Sequence, residues 1–378
     1  MNRKELKKAA CAAVDALAAE LNEISLFIHN HPELGNEEHQ AVTRLTAAIA
    51  KHGFTVETGC GNLPTAFQAC KGSSGPKIGF LAEYDALPEL GHACGHNLIA
   101  AMSYGAAVAF AAAAQEKATA CLFGCPAEET TGGKITLADA GLFDQLTAAL
   151  IIHPADVNSV GGTSYATHPV KVTFHGQSAH IASNTHKGVN ALDALVLFYS
   201  GLKQLKESLT EKTILGGIIT HGGIAPNIVP DKAEAKFTVR ALSYRYLEDT
   251  VLPAFRRLAE GIALATGTTV TVEHYEPLYK ELINDKRLAA LFRQNMALLG
   301  EEVTILDDAE AGGSTDVGTV SHIIPTLHPD ISIGADLSAH TAEFATAACS
   351  PYAQERLLIG AKAMAMTALD LLPEETRI

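Results

Sequence analysis

The sequence predicts an α/β protein: a mostly parallel sheet flanked by helices, with a smaller ferredoxin-like α+β domain inserted in it. Three observations carry this reading. Short apolar runs alternate with helical patterns between Thr55 and Ile152. Three of those runs are each followed at once by polar, ligand-type residues. Near Thr167 the rhythm changes to strand–helix–strand–strand–helix–strand, and the first pattern resumes after Pro277. Alternation of the first kind makes a parallel sheet covered by helices on both faces. The second order is the split ferredoxin-like pattern.

The elements follow in order. Leu17, Leu21, Ile24 and Ile28 recur at helical spacing and predict an amphipathic N-terminal helix. A second helix is expected over 37–51, ended by Gly53 ahead of an extended Phe54-Thr55-Val56. Then come strand 77–82, an alanine-rich helix 97–114, strand 119–124, helix 133–145 and strand 148–152. The inserted part reads as strand 170–174, helix 188–209, strands 214–220 and 233–241, helix 246–266 and strand 268–274. Helix 285–299, strand 331–333 and helix 351–371 complete the chain. The expected domains are therefore 1–166 with 278–378, discontinuous, and 167–277 between them. The glycine pairs 216–217, 222–223 and 312–313 read as turns or flexible points.

The 378 residues are 47% hydrophobic and 19% charged, which supports a sizeable core and excludes disorder. A net charge of -14 argues against nucleic acid or an anionic membrane surface as partner, since both repel an acidic protein. The basic start, Met1 to Lys8, is not followed by an apolar h-region, so no signal peptide is expected. Leu98–Ala114 comes nearest to a membrane span but is mostly alanine and reads as too weakly apolar. The seven scattered cysteines read as reduced thiols of a cytoplasmic protein. Cys121 and Cys125 sit in or beside a strand and read as core.

The chemistry concentrates where strands end. Glu83 to His96 holds two carboxylates, a thiol and two imidazoles just after the run 77–82. Cys94-Gly95-His96 places a thiolate and an imidazole two residues apart, both good ligands for zinc-like ions. Glu128-Glu129 follows the run 118–125, and His153 follows 148–152. In parallel sheets ligands sit beyond the carboxyl ends of the strands, where all three clusters fall. Adjacent residues leaving a strand point opposite ways, so one glutamate is expected to hold metal while the other handles protons. His180 and His340 taken alone read equally well as surface residues.

The motifs taken in order resemble the M20 metallopeptidase family, in its amidohydrolase branch of aminoacylases, hippurate hydrolases and aminobenzoyl-glutamate hydrolases. They are His31-Pro-Glu-Leu34, Asp85-Ala-Leu-Pro88, His92-Ala-Cys-Gly-His96, Pro126-Ala-Glu-Glu129, His153-Pro154, Gly176-Gln-Ser-Ala-His180, Pro226-Asn-Ile-Val-Pro230, Arg240 and His340-Thr-Ala-Glu-Phe344. The resemblance implies a zinc-peptidase-like catalytic domain and a lid and dimerisation domain. It implies Cys94, His96, Glu129, His153 and His340 as ligands of two divalent ions per subunit, zinc or manganese, with cobalt or nickel as alternatives. It implies Glu128 as general base and acid, Asp85 as the carboxylate orienting a ligand histidine, and His180 as oxyanion donor reaching a partner subunit. Asn227 and Arg240 would bind the carboxylate of a small amide substrate. Ser314-Thr315-Asp316 would line the pocket. Two positions depart from the wider family: Glu83 stands where many members have a ligand histidine, and Cys94 where they have a bridging aspartate.

The expected activity is metal-dependent hydrolysis of the amide bond of N-acyl amino acids, aminobenzoyl-glutamate-like conjugates or dipeptides, in a homodimer. A metal-dependent deacetylase or deaminase, and a non-catalytic small-molecule-binding protein on the same fold, remain the alternatives.

Overall fold

The computed structural model describes residues 1–373. The chain forms two compact units. The first comprises Met1–Thr163, Leu282–Glu310 and the chain from Asp316 onward; the second comprises Ser164–Glu281 and Ala311–Thr315.

The first unit opens with two helices, α1 (Arg3–Ala16) and α2 (Ala18–Asn30), where the apolar spacing predicted one. Asn2 and Glu5 close a reciprocal capping box over α1, which fixes its start. Next come α3 (His39–Lys51), β1 (Thr55–Thr58), β2 (Phe67–Lys71), β3 (Lys77–Ala82), α4 (His96–Ala114), β4 (Thr119–Gly124), α5 (Gly133–Asp139), β5 (Ala148–Leu150), β6 (His153–Ala155) and β7 (Ser159–Thr163). α5 is shorter than the predicted 133–145: Gly141, at φ +74, follows it in the left-handed region where helices stop.

α4 is the core helix of this unit, buried along its whole length save Ala112. Its small side chains let neighbours approach: a Cβ on Gly105 would lie 2.8 Å from Leu21 of α2. Contrary to the sequence reading, the helix at His96–Lys117 is long and apolar enough to cross a membrane, but 94% of that window is buried inside the protein.

The second unit contains β8 (Ala166–His175), α6 (Ile181–Asn184), α7 (Ala191–Ser208), β9 (Thr213–His221), β10 (Lys232–Ala241), α8 (Tyr244–Tyr246), a π-helical segment Leu247–Val251, α9 (Leu252–Thr266) and β11 (Thr269–His274). Its sheet runs β11-β8-β10-β9, every pair antiparallel. Phe174, Phe198, Phe237 and Phe255 form the centre of its separate core, with Phe198 lying 5.0 Å from Phe255 and 5.7 Å from Phe237 between ring centroids. Gly216 and Gly217 lie inside β9, not in a turn. A Cβ on Gly217 would meet the Phe237 ring at 2.2 Å, so that glycine makes room for an aromatic ring.

The chain then adds α10 (Lys286–Leu298), β12 (Thr304–Ala311), α11 (Val317–Ser321), β13 (Thr326–Leu327), β14 (Asp330–Ser332), α12 (Ala342–Ala347) and α13 (Pro351–Asp370). The main sheet has the order β1-β2-β4-β3-β5-β13. β4, β3, β5 and β13 run parallel, while β2 is antiparallel to both β1 and β4. A four-stranded sheet, β12-β7-β14-β6, is separate from it.

Strand β2 changes the cysteine reading. Cys70 and Cys121 face each other across the β2–β4 ladder and form a disulfide, with Cα atoms 4.2 Å apart. Direct cross-strand neighbours reach disulfide distance without backbone movement. The expectation of seven reduced thiols is thus corrected; Cys11, Cys60, Cys94, Cys125 and Cys349 are free.

Candidate metal centre

Because β3, β4 and β5 are parallel, the segments that leave them emerge at one edge of the sheet. Glu83 and Asp85 follow β3, Glu128 and Glu129 follow β4, and His153 follows β5. Gly95, the N-cap of α4, turns the chain at φ +76 and so brings Cys94 and His96 to the same place. A Cβ there would lie 2.8 Å from Pro154.

His96 is fully buried, and its Nδ1 lies 2.9 Å from both the Asp85 carboxylate and the Asp85 carbonyl. Both are acceptors, so Nδ1 carries a proton and Nε2 is the ring atom left for a cation; burial works against charge on the ring, but Asp85 outweighs it and holds the imidazole well above its usual pKa. That Nε2 is buried with no hydrogen-bond partner. His153 has the same logic: Nδ1 donates to the Pro154 carbonyl at 2.7 Å, and Nε2 faces Cys94 Sγ at 3.4 Å. His340 Nε2 lies 3.1 Å from Glu129 Oε1. His340 adopts φ +66, a left-handed conformation uncommon for a non-glycine residue, and its N–H donates to the Ala93 carbonyl at 2.9 Å. The Asp85 carboxylate also accepts from Glu129 N at 3.0 Å, so one side chain orients two segments of the site.

Donor atoms of Cys94, His96 and His153 all lie within 4.8 Å of one another, as do those of Cys94, Glu129 and His340. Cys94 belongs to both groups. The donor set fits metal: a thiol, two imidazoles whose Nδ1 atoms are committed to acceptors so that Nε2 faces inward, and at His96 a buried Nε2 with no hydrogen-bond partner. Glu128 and Glu129 do not point apart. Both reach within 4.8 Å of His96. The pair sits in a turn beyond the end of β4, where Ala127 has φ +58, so strand alternation no longer governs it.

Burial sets the electrostatics. The Glu128 carboxyl is pushed well above the usual range, first by burial and then by Glu83, Asp316 and Glu129. Burial raises the Cys94 thiol to about 12, the direction a bound cation would reverse. Burial also pushes Asp85 upward, but the charge and hydrogen bond of His96 outweigh it and the carboxyl ends below its usual value. His153 is lowered by burial. His92, expected to crowd the same loop, is 2% exposed and lowered by burial to about 3; it joins none of the donor groups found among the described residues.

Two site residues escaped the sequence reading. Lys134 is wholly buried, with Nζ 2.5 Å from Glu83 and 2.6 Å from Asp316. Asp316, expected to line a pocket, is instead buried in this ion pair. His328 stacks on His153 at 5.7 Å between centroids. A signal for it existed: His328-Pro329 repeats the His153-Pro154 dipeptide after an apolar run, and parallel pairing of β5 with β13 and of β6 with β14 sets the two copies side by side. Nothing in the sequence marked Lys134.

In the second unit, His180 is exposed and bridges to Ile228, while the Asn227 carbonyl accepts from Ile181 N at 3.2 Å. These contacts bring His180 and Asn227 together. Ala182 N donates to His180 Nδ1 at 3.2 Å, which leaves the ring proton on Nε2. Arg240 lies in β10 between Thr167 and Ile214. Ser314 hydrogen-bonds Thr167 at 2.6 Å.

A peptidase dimerisation domain matches residues 168–256. The chain is 39% identical over 385 residues to a Xaa-Arg dipeptidase of Mus musculus, covering 97% of this chain and 89% of that protein. It is 31% identical to a p-aminobenzoyl-glutamate hydrolase chain of Escherichia coli strain K12, covering 95% and 90% respectively. A crystal structure of a dinuclear metal-binding peptidase from Bacillus subtilis, 20% identical, shares the fold with a TM-score of 0.74 over 95% of this chain and 99% of that one. With an edge of parallel strands gathering metal-type donors and relatives of this length and identity, the chain belongs to the M20 metallopeptidase family, in the branch of hydrolases that cleave amide or peptide bonds.

Proposed function

We propose that this protein is a dinuclear, metal-dependent dipeptidase or related amidohydrolase acting as a homodimer on small amides with a free carboxylate. The observation that carries the reading is Cys94 shared by two donor groups, with Glu128 beside them. Cys94, His96 and His153 would hold one ion, and Cys94, Glu129 and His340 the other. Zinc or manganese is favoured, with cobalt or nickel as alternatives, since a thiolate suits softer ions. Divalent ions held there would supply Lewis acidity, polarising the amide carbonyl and easing deprotonation of water.

Glu128 accepts the proton of the attacking water and delivers it to the leaving nitrogen. Its raised pKa suits a group that must both gain and lose a proton. Asp85 fixes the His96 tautomer. His180 donates from Nε2 to the oxyanion formed in the active site of a partner subunit. Asn227 and Arg240 hold the substrate carboxylate, the guanidinium through two parallel hydrogen bonds. The unit around residues 168–256 is the lid and the dimer contact.

Within the substrate class we favour dipeptides with a basic C-terminal residue. The extent of identity to the Xaa-Arg dipeptidase supports this, and a net charge of -14 attracts a cationic substrate. The E. coli relative supports aminobenzoyl-glutamate-like conjugates as the second reading.

The test is a panel of Xaa-Arg and Xaa-Lys dipeptides, aminobenzoyl-glutamate and N-acetyl amino acids on metal-reconstituted protein, read by release of the free amino acid. Dipeptides with basic C-termini should turn over fastest. Release of ammonia would favour a deaminase, acetate as the main product a deacetylase, and no turnover with any of the four metals a binding protein. Glu128→Gln should keep metal and fold and lose roughly 10²–10⁴ in kcat. Sedimentation of the intact protein checks the dimer.

A further inference from the structure

Lys134 plays no part in the mechanism above, yet it lies within the carboxylate cluster around the proposed base. It is the second residue of α5 and has no exposed surface. Its Nζ sits 2.5 Å from Glu83 Oε1 and 2.6 Å from Asp316 Oδ1, and its backbone N–H donates to Asp316 Oδ2 at 2.9 Å. Asp316 thus accepts from both the main chain and the side chain of one residue.

Three separate stretches meet at this ammonium. Glu83 follows β3, Lys134 lies in the first turn of α5 just after the loop that follows β4, and Asp316 precedes α11. Carboxylate oxygens of Glu83, Glu128 and Asp316 lie within 4.8 Å of one another. The other oxygen of Glu83 is 3.5 Å from His96 Nε2, so the cluster abuts the donor groups directly. The turn between β4 and Lys134 has little freedom. Gly132 N donates to the Ala127 carbonyl at 2.8 Å, and a Cβ on Gly133 would meet the Pro126 carbonyl at 2.1 Å. Fixing Lys134 therefore fixes the short loop that carries Glu128 and Glu129.

A buried ion pair is a poor device for stability, because apolar residues of equal volume often serve as well or better. Like charges this close repel, and one ammonium between two of them draws them to defined positions. We propose that Lys134 is a positioning residue for amide hydrolysis, clamping Glu83 and Asp316 so that the Glu128-bearing turn is held against the metal ligands. The inference rests on Glu128 being the proton carrier. Lys134 acts through its neighbours, not on the substrate.

The test compares wild type, Glu128→Gln, Lys134→Met, Lys134→Arg and Asp316→Asn as intact metal-reconstituted proteins, with kcat, KM and metal content measured on the best substrate of the panel. Misplacing reacting groups by about 1 Å costs about 100-fold. Lys134→Met should therefore lose about 100-fold in kcat with KM changed less than about threefold, and Lys134→Arg should recover at least about tenfold of that loss. Should Lys134→Met fail to fold, Asp316→Asn removes one arm of the clamp without stranding a cation, and a kcat loss of about tenfold at constant KM is expected. Wild-type kcat in a folded Lys134→Met or Asp316→Asn protein, beside an inactive Glu128→Gln, overturns this inference alone. Full activity in Glu128→Gln overturns the parent reading and this one together.

Discussion

His96 illustrates how one hydrogen bond decides what a residue can do. With Nδ1 committed to Asp85, only Nε2 is left to face a cation. Asp85→Asn keeps the shape but removes the charge that orients and enriches the imidazole. Metal affinity should fall by roughly 10–100-fold, as measured by titration against a chromogenic chelator. Glu128 yields a pH prediction. Its folded pKa is raised by burial and by Glu83, Asp316 and Glu129, so the fold favours its protonated form. That contribution to stability is present in full below the unfolded pKa and is lost as pH rises through the folded value. Melting of the chelated protein should therefore fall more steeply with rising pH, above the ordinary 4.5, in wild type than in Glu128→Gln. Equal slopes would contradict the burial argument. The ligand-type residues themselves were legible in the sequence, because Cys, His and Glu bunched after apolar runs have few other uses. Lys134 was not, because a lysine after two glycines reads as surface and only three-dimensional packing places acids around it.

At the scale of elements, the turn at Gly95 and the β2–β4 ladder matter most. Gly95→Ala forces a side chain into φ +76 and against Pro154. The left-handed conformation alone costs about 1–2 kcal/mol, so denaturant unfolding should show at least that loss together with weakened metal binding. The Cys70–Cys121 link closes a separation of 51 residues. Its removal in Cys70→Ser/Cys121→Ser should lower stability by about 4 kcal/mol on a chain-entropy estimate. Thiol titration of the unreduced, denatured protein should return the five free cysteines; seven would refute the bond. Strands β3 and β4 are readable to the residue because, after Lys77 and Thr119, their runs are apolar and buried, as central strands covered on both faces must be. Strand β2 is not legible in the sequence because Phe67-Gln-Ala-Cys-Lys71 is short and mixes polar with apolar residues, and without it nothing marks the neighbour that makes Cys121 a disulfide partner.

For the molecule as a whole, the second unit has a hydrophobic core that shares no residue with the two clusters of the first, which implies two folding units. A fragment of residues 164–281 should melt cooperatively by circular dichroism, since its four central phenylalanines pack with one another; a non-cooperative melt would show that its core depends on the rest of the chain. The sequence alone determined the α/β class, the change of rhythm near Thr167 and the identity of nearly every candidate ligand. These depend on local periodicity and residue chemistry, which the linear order preserves. Tertiary structure alone decided which donors share Cys94, that Glu128 and Glu129 converge on His96, that Lys134 and Asp316 pair beneath them, and that two of the cysteines are joined. Those facts depend on strand register and on turns with positive φ, and contacts between residues tens to hundreds of positions apart leave no periodic trace in the chain.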